Sequence, residues 1–152
     1  MQRPIVIVGI GEMGGVFARA FLRRGRPVVP VTRGTPIDAV AADVPDPALA
    51  LAAVGEADLD PLLAAWPDAW RPRTGLIQNE LLPRDWERHG IPDPTVAAVW
   101  FEKKPGRDVK VIIPTPVAGP AAPDVTEALA ALGIAAVAIP RPELLEALVV
   151  KN

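Results

Sequence analysis

The stretch from Ile5 to Gly14 constrains the fold most, because its character changes twice within a few residues. Ile5–Val8 is an unbroken β-branched run, typical of a central parallel strand buried on both faces. From Glu12 to Arg24 the apolar residues recur at helical spacing, and Gly25 stands where such a helix would end. The order of strand, glycine turn and helix predicts the first unit of an α/β fold.

Several later segments predict strands. Val28–Val31 contains Pro30, which cannot donate a ladder hydrogen bond, so we place this strand at or near a sheet edge. Thr95–Lys103 and Val109–Pro116 are rich in strand formers, and the loop of residues 104–108 between them has hairpin chemistry, which predicts an antiparallel pair. The remaining strands are predicted within residues 48–54, 75–78 and 134–139.

Two further helices have recognisable start signals. Asp60 is predicted to be the N-cap of a short helix, and Pro61 its first residue. Asp124 and Glu127 have capping-box spacing and predict a helix that ends at Gly133. A terminal helix is predicted over residues 142–150. The fold class is therefore α/β and Rossmann-like, with a mostly parallel sheet, an antiparallel hairpin and helices on both faces, and we expect one domain over residues 1–152.

Composition excludes several classes of site. The chain has no cysteine, which excludes disulfides, thiolate zinc sites and thiol nucleophiles, and its net charge of -2 provides no basic surface for nucleic acid. Its histidine and carboxylates lack metal-ligand spacing, so no metal is expected. No apolar run is long enough to span a bilayer, and we expect a cytoplasmic protein without membrane contact.

The glycine turn reads Gly-x-Gly-x-x-Gly and points to a bound dinucleotide. In this motif the first glycine permits a tight turn, the second lets the backbone approach a diphosphate, and the third lets the helix pack closely on the strand. The context of strand before and helix after is the one the motif requires. A glycine turn without a ligand is the alternative. The expected cofactor contacts are Gly9, Ile10, Gly11, Glu12, Met13 and Gly14.

The end of the second strand indicates which dinucleotide binds. Selection of NAD(H) uses an acidic side chain there, whereas this chain has Thr32 and Arg33. A cation beside a hydroxyl suits a 2′-phosphate, so we predict NADP(H) as the cofactor. Asp38 lies beyond the strand end and is discounted. The alternative is that Arg33 is a solvated loop residue.

Other conspicuous side chains favour structural roles. His89 is the only histidine and is predicted at a helix C-terminus, where the dipole favours it. Lys103, Lys104 and Arg107 are predicted at a solvated hairpin tip. The tryptophans are expected to be core or interface anchors, namely Trp66, Trp70, Trp86 and Trp100.

The succession of Ile5–Gly14, Thr32-Arg33, Gln78-Asn79 and Thr115–Pro120 resembles the N-terminal domain of the ketopantoate reductase (2-dehydropantoate 2-reductase) family, over essentially the whole chain. The resemblance implies an NADPH-dependent reductase that delivers hydride to a 2-oxo acid. It also implies that Asn79 lies near the nicotinamide and substrate and that Arg33 meets the 2′-phosphate.

The chain departs from that family at several positions. The lysine that the family usually has after its fourth strand is replaced here by Gly55 or Glu56. The glycine that usually follows the family's Gln-Asn pair is replaced by Glu80. The place of the general-acid lysine is taken by Ala147, and Lys151 could supply the amine only after a shift of one helical turn. We expect the family's helical substrate domain, which forms the other wall of the substrate cleft, to be absent.

Three hypotheses follow. The chain is an NADP(H)-binding domain of an oxidoreductase of this type, a non-catalytic module that senses NADP(H) or serves as a subunit, or a Rossmann scaffold used for protein interaction. The terminal helix and the hairpin should expose apolar surface, so we expect a homodimer or a partner that covers the terminal helix.

Overall fold

The computed structural model describes residues 2–77, 86–99, 101–111 and 114–140. In these ranges the strands are β1 (Ile5–Val8), β2 (Val28–Val31), β3 (Leu49–Ala52), β4 (Thr74–Ile77), β5 (Thr95–Ala97), β6 (Phe101–Glu102), β7 (Lys110–Val111), β8 (Thr115–Ala118) and β9 (Ala136–Ile139). The α-helices there are α1 (Glu12–Arg23), α2 (Ile37–Asp43), α3 (Glu56–Ala64) and α4 (Ala122–Ala131), and a 3₁₀ helix covers Asp68–Arg73.

The main sheet has the strand order β2-β1-β3-β4-β5-β8-β9. The pairs from β2 to β5 are parallel, β5 and β8 are antiparallel, and β8 and β9 are again parallel. β2 lies at an edge, as Pro30 predicts, and α2 fills the short segment that follows it. The predicted Rossmann-like class and the antiparallel hairpin are both confirmed, and β6 and β7 form the hairpin's own small sheet.

Two apolar cores explain why β1 carries no polar residue. Ile5 and Ile7 pack on one face of the sheet against α1 and α4. Val6 and Val8 pack on the other face, where α2, α3 and the 3₁₀ helix lie. All four side chains are buried, as a strand covered on both faces requires. The expectation of helices on both faces is confirmed.

Three of the tryptophans lie in the second core, as expected of core anchors. Trp66, Trp70 and Trp86 are buried, while Trp100 lies outside the described residues. The indole of Trp66 donates to the Thr74 hydroxyl at 2.9 Å, and the indole of Trp70 donates to the carbonyl of Val44 at the same distance. The indole N–H groups of Trp66 and Trp70 therefore each have an acceptor, which offsets the cost of burying them.

Both predicted helix starts are wrong. α3 begins at Glu56 behind Gly55, so Pro61 lies inside the helix and Asp60 does not cap it. α4 begins at Ala122, and its N-cap residue, Ala121, provides no side-chain cap. Asp124 instead lies in the first turn.

Tertiary contacts, and not the predicted caps, hold the start of α4. The amide of Ala121 donates to the hydroxyl of Thr95 on β5 at 2.8 Å, so a neighbouring strand satisfies the start of α4. The carboxylate of Asp124 faces Arg26, at 3.8 Å. Gly133, at φ +73°, ends α4 as predicted. The predicted terminal helix over 142–150 lies outside the described residues. No helix in the described ranges is both long and apolar enough to cross a bilayer.

Asp60 joins α3 to the segment after residue 85. Its Oδ1 atom lies 2.7 Å from His89 Nε2 and 3.0 Å from Arg88 Nη2. The hydrogen bond with His89 is the main reason why the pKa of Asp60 is below its ordinary value of 3.8, with the charge of Arg88 adding to it. His89 follows a helical turn, as predicted, but its side chain has a specific carboxylate partner.

This pair predicts a pH-dependent contribution to stability. Because the native-state pKa of Asp60 is lowered, its carboxylate should stabilise the fold fully above pH 3.8 and lose that effect as the pH falls through the native-state pKa. Asp60→Asn should therefore unfold more easily than the native protein at neutral pH, with the difference vanishing in acid. Denaturant titrations of both proteins across that range measure it. A difference that persists in acid would contradict the charge-based account.

Candidate functional site

The carboxyl ends of β1, β2 and β3 lie level and form the base of the candidate site. The register pairs Val8 with Val31 on one side and with Ala52 on the other. Beyond the strands, the amide of Gly9 donates to Val31 at 2.9 Å and the amide of Ala53 to Val8 at 2.8 Å. The chain leaves β1 towards β2 and leaves β3 in the opposite direction, so a crevice opens between the two connections. Open α/β sheets bind ligands at this kind of switch point.

Two of the three motif glycines are required by packing alone. Gly9 has φ +95°, and a Cβ there would lie 2.6 Å from the carbonyl oxygen of Ala53. A Cβ on Gly14 would lie 1.9 Å from the carbonyl oxygen of Gly9. Both obstacles are backbone atoms, so the first turn of α1 can rest on the end of β1 only without these side chains.

Gly11 is different, because a Cβ added there would meet no protein atom within 4 Å. Its backbone is extended, with φ -90° and ψ -157°, a conformation open to other residues. Gly11 is also the N-cap of α1 and provides no side-chain cap for the first-turn amides. The helix therefore begins with its positive dipole end and unsatisfied N–H groups beside open space.

That open space is a cleft of about 470 Å³. One wall is the backbone of residues 9–11, the facing wall is residues 53–55, and Thr32, Arg33 and Asp58 lie at one end. An adjoining cavity of about 400 Å³ has apolar side chains, including Val31, Val54 and Leu62. Ile10 is 40% exposed beside the cleft, an unusual state for a large apolar side chain in this structure. The site thus combines backbone amides with apolar surface.

A tight turn places Arg33 at the end of the cleft. The amide of Thr35 donates to the carbonyl of Thr32 at 3.0 Å, and the two threonine hydroxyls also lie 3.0 Å apart. Arg33, at the tip, has a side chain that is 98% exposed, and its Nη2 lies 3.8 Å from Oδ2 of Asp58. Among the described residues the guanidinium meets a carboxylate only in this loose pair, which leaves it able to turn.

The structure brings most of the sequence-predicted residues together. Gly9, Ile10, Gly11, Thr32 and Arg33 line one cleft, and Glu12, Met13 and Gly14 form the helical turn that follows it. Asn79 and Lys151, the predicted catalytic residues, lie outside the described residues.

The sequence analysis missed the positions of two residues, Asp58 in the cleft and Lys103 beside the first turn of α1. Asp58, in the first turn of α3, reaches the cleft only because β3 lies beside β1. Lys103 was predicted to be solvated, but its side chain is only 13% exposed and its Nζ lies 3.1 Å from Oε2 of Glu12. The prediction fails for Lys103 because the hairpin folds back onto α1, whereas Lys104 and Arg107 are exposed as expected.

A separate cavity, of about 350 Å³, lies at the opposite end of the parallel strands, where they begin. It is lined by Arg3, Arg26 and Arg73, but each guanidinium already faces a carboxylate. Arg3 and Arg73 lie 2.9 and 3.8 Å from Asp46, and Arg26 lies 3.8 Å from Asp124. Three guanidiniums thus share two carboxylates of the protein. In the described part of the chain, no cluster of three or more histidine and carboxylate side chains could hold a metal ion.

The fold and the position of the cleft define a Rossmann-type domain with an open switch-point site. Comparison with solved structures agrees on the fold. The 2-dehydropantoate 2-reductase from Methylococcus capsulatus superposes with a TM-score of 0.64 at 14% identity, covering 94% of this chain and 59% of that one. A ketopantoate reductase from Ralstonia eutropha JMP134 gives 0.61 at 16% identity, covering 92% and 57%.

An enzyme of different chemistry shares the same fold. The reductive aminase from Aspergillus terreus, in complex with NADPH and ethyl-5-oxohexanoate, has a TM-score of 0.59 at 16% identity, with 99% of this chain and 61% of that one covered. The chain thus spans about three fifths of the length of these proteins. No family profile and no curated protein matches the sequence.

The glycine geometry makes a prediction about stability. Gly14→Ala forces a methyl group into the Gly9 carbonyl and should destabilise the fold by about 2 kcal/mol or more. Gly11→Ala meets open space in an allowed conformation and should change stability by less than about 1 kcal/mol. Urea denaturation of the two variants compares them directly. Equal losses would contradict the division between packing and cleft glycines.

Proposed function

We propose that this chain is the NADP(H)-binding domain of an oxidoreductase. The observation that carries the proposal is the contrast among the motif glycines: Gly9 and Gly14 are needed for packing, whereas the space beside Gly11 is empty of protein. A diphosphate would fit there, against the backbone and the positive end of α1. The apolar cavity between Val31 and Leu62 suits the adenosine.

The charges at the end of the cleft favour the 2′-phosphorylated cofactor. Arg33 offers a planar guanidinium that suits a phosphate, and Thr32 adds a hydroxyl. The position after β2 that selects a free ribose in NAD-dependent proteins carries no acid here. Asp58 lies at the same end of the cleft but comes from α3 and already faces Arg33.

The reaction we propose is hydride transfer between the nicotinamide and a 2-oxo or 2-hydroxy acid. Support comes from the resemblance to ketopantoate reductases and from the shared fold with the Methylococcus capsulatus enzyme. Asn79 is proposed to lie beside the nicotinamide and substrate. The developing alkoxide also needs a proton donor, which an asparagine amide cannot be, and Lys151 is proposed for that role.

A non-catalytic module that senses NADP(H) or serves as a subunit is the second candidate. The observation in its favour is that His89, the only histidine, pairs with Asp60 and does not line the cleft. In either case we propose that a second copy or another chain covers residues 142–150. Oxidation of NADPH in the presence of 2-oxo acids separates the two candidates.

The cofactor proposal predicts a measurable preference. In calorimetric titrations NADPH should bind more tightly than NADH, and saturating NADPH should raise the melting temperature because it prefers the native state. Gly11→Ala, which should leave the fold intact, should weaken both cofactors because its methyl group would occupy the diphosphate position. Failure of the native protein to bind either nucleotide would leave only the scaffold role.

The charge pair at the cleft end predicts opposite effects for its two members. Arg33→Gln should weaken NADPH about tenfold and leave NADH unchanged, because a charged hydrogen bond to the phosphate is lost. Asp58→Asn should instead tighten NADPH, since it frees Arg33 and removes a negative charge near the phosphate. Dissociation constants of both variants for both nucleotides test this. Parallel losses of NADPH and NADH in Arg33→Gln would show that Arg33 does not read the phosphate.

A further inference from the structure

The β6–β7 hairpin is fixed onto α1 close to the glycine turn. Phe101, on β6, is buried, and its ring centroid lies 6.2 Å from that of Phe17 on α1. Lys103 follows Phe101 by two residues, and Glu12 precedes Phe17 on the same helix. The aromatic contact therefore holds the lysine beside the start of α1.

The ammonium group of Lys103 is bound on two sides. Its Nζ lies 3.1 Å from Oε2 of Glu12 and donates to the carbonyl of Lys104 at 2.7 Å. Lysine side chains are seldom withdrawn from water to this degree without a charged partner. The partner here is an acid at the first position of α1, immediately after Gly11.

That acid has opposite effects in the empty and the occupied cleft. With no ligand bound, the Glu12 carboxylate is favourable at the positive end of the helix. With a diphosphate beside Gly11, an uncompensated carboxylate at the next residue would repel it. The pair that Glu12 forms with Lys103 has no net charge, so the carboxylate is counterbalanced where phosphate charge would arrive.

We propose that Lys103 is a positioning residue for the cofactor: it holds and neutralises Glu12, and so allows the glycine turn to accept a diphosphate. The proposal rests on the NADP(H)-binding function proposed above. It assigns the hairpin a role in nucleotide binding through a residue that donates no group to the cofactor.

The test is a set of charge variants titrated with NADPH. Lys103→Met should weaken binding about tenfold at low salt, and the loss should shrink as salt is raised, because it is electrostatic. Lys104→Met, at the adjacent exposed lysine, is the matched control and should bind as the native protein does. Lys103→Arg should retain binding.

The double variant Lys103→Met with Glu12→Gln distinguishes compensation from direct contact. If Lys103 acts by neutralising Glu12, removing both charges should restore affinity to within about twofold of the native protein. A double variant as weak as Lys103→Met overturns the proposal, since Lys103 would then meet the phosphates itself. Native affinity in folded Lys103→Met overturns this inference alone, whereas a native protein that binds no NADPH overturns the proposed function as well. Melting temperatures establish that each variant is folded.

Discussion

The approach of Gly14 to the carbonyl of Gly9 is the contact on which the remaining architecture depends. A Cβ at residue 14 would lie 1.9 Å from that oxygen, so α1 can start where it does only because nothing projects from the helix there. The same contact fixes the direction in which the chain leaves β1. The crevice against the β3–α3 connection, and the position of the first-turn amides beside it, both follow from this direction.

The sheet fixes the positions of the residues that form the base of that crevice. β1 is paired on both sides and buried on both faces, so the residues that end it cannot move independently of β2 and β3. The turn at residues 32–35 and the start of α3 are placed by those neighbouring strands. The packing of the core fixes the ends of adjacent buried strands, and so it also fixes the geometry of a site built from them. The switch point of an α/β sheet is such a site.

The sequence predicted well where a local pattern decides the structure. The β-branched run, the glycine spacing and the effect of Pro30 on strand position are properties of a few neighbouring residues, and β1, α1 and the edge strand β2 appear as expected. It failed where a distant contact decides. Ala121, the N-cap of α4, donates its amide to the Thr95 hydroxyl on β5, and no local pattern around Asp124 reports on that strand.

The candidate site shows the same division. Gly9, Gly11 and Arg33 could be located from spacing alone, whereas Asp58 reaches the cleft through strand order, and the folded-back hairpin brings Lys103 to Glu12 at the start of α1. Both missed residues belong to ion pairs with residues that the motif did predict, Arg33 and Glu12. Arg33 and Glu12 therefore each have an opposite charge from the protein itself beside them. If the cleft binds the phosphorylated cofactor as proposed, the phosphate must compete with Asp58 for Arg33, while the charge of Glu12 is already balanced by Lys103. On that proposal the two pairs have opposite effects on affinity: the first restrains anion binding and the second permits it.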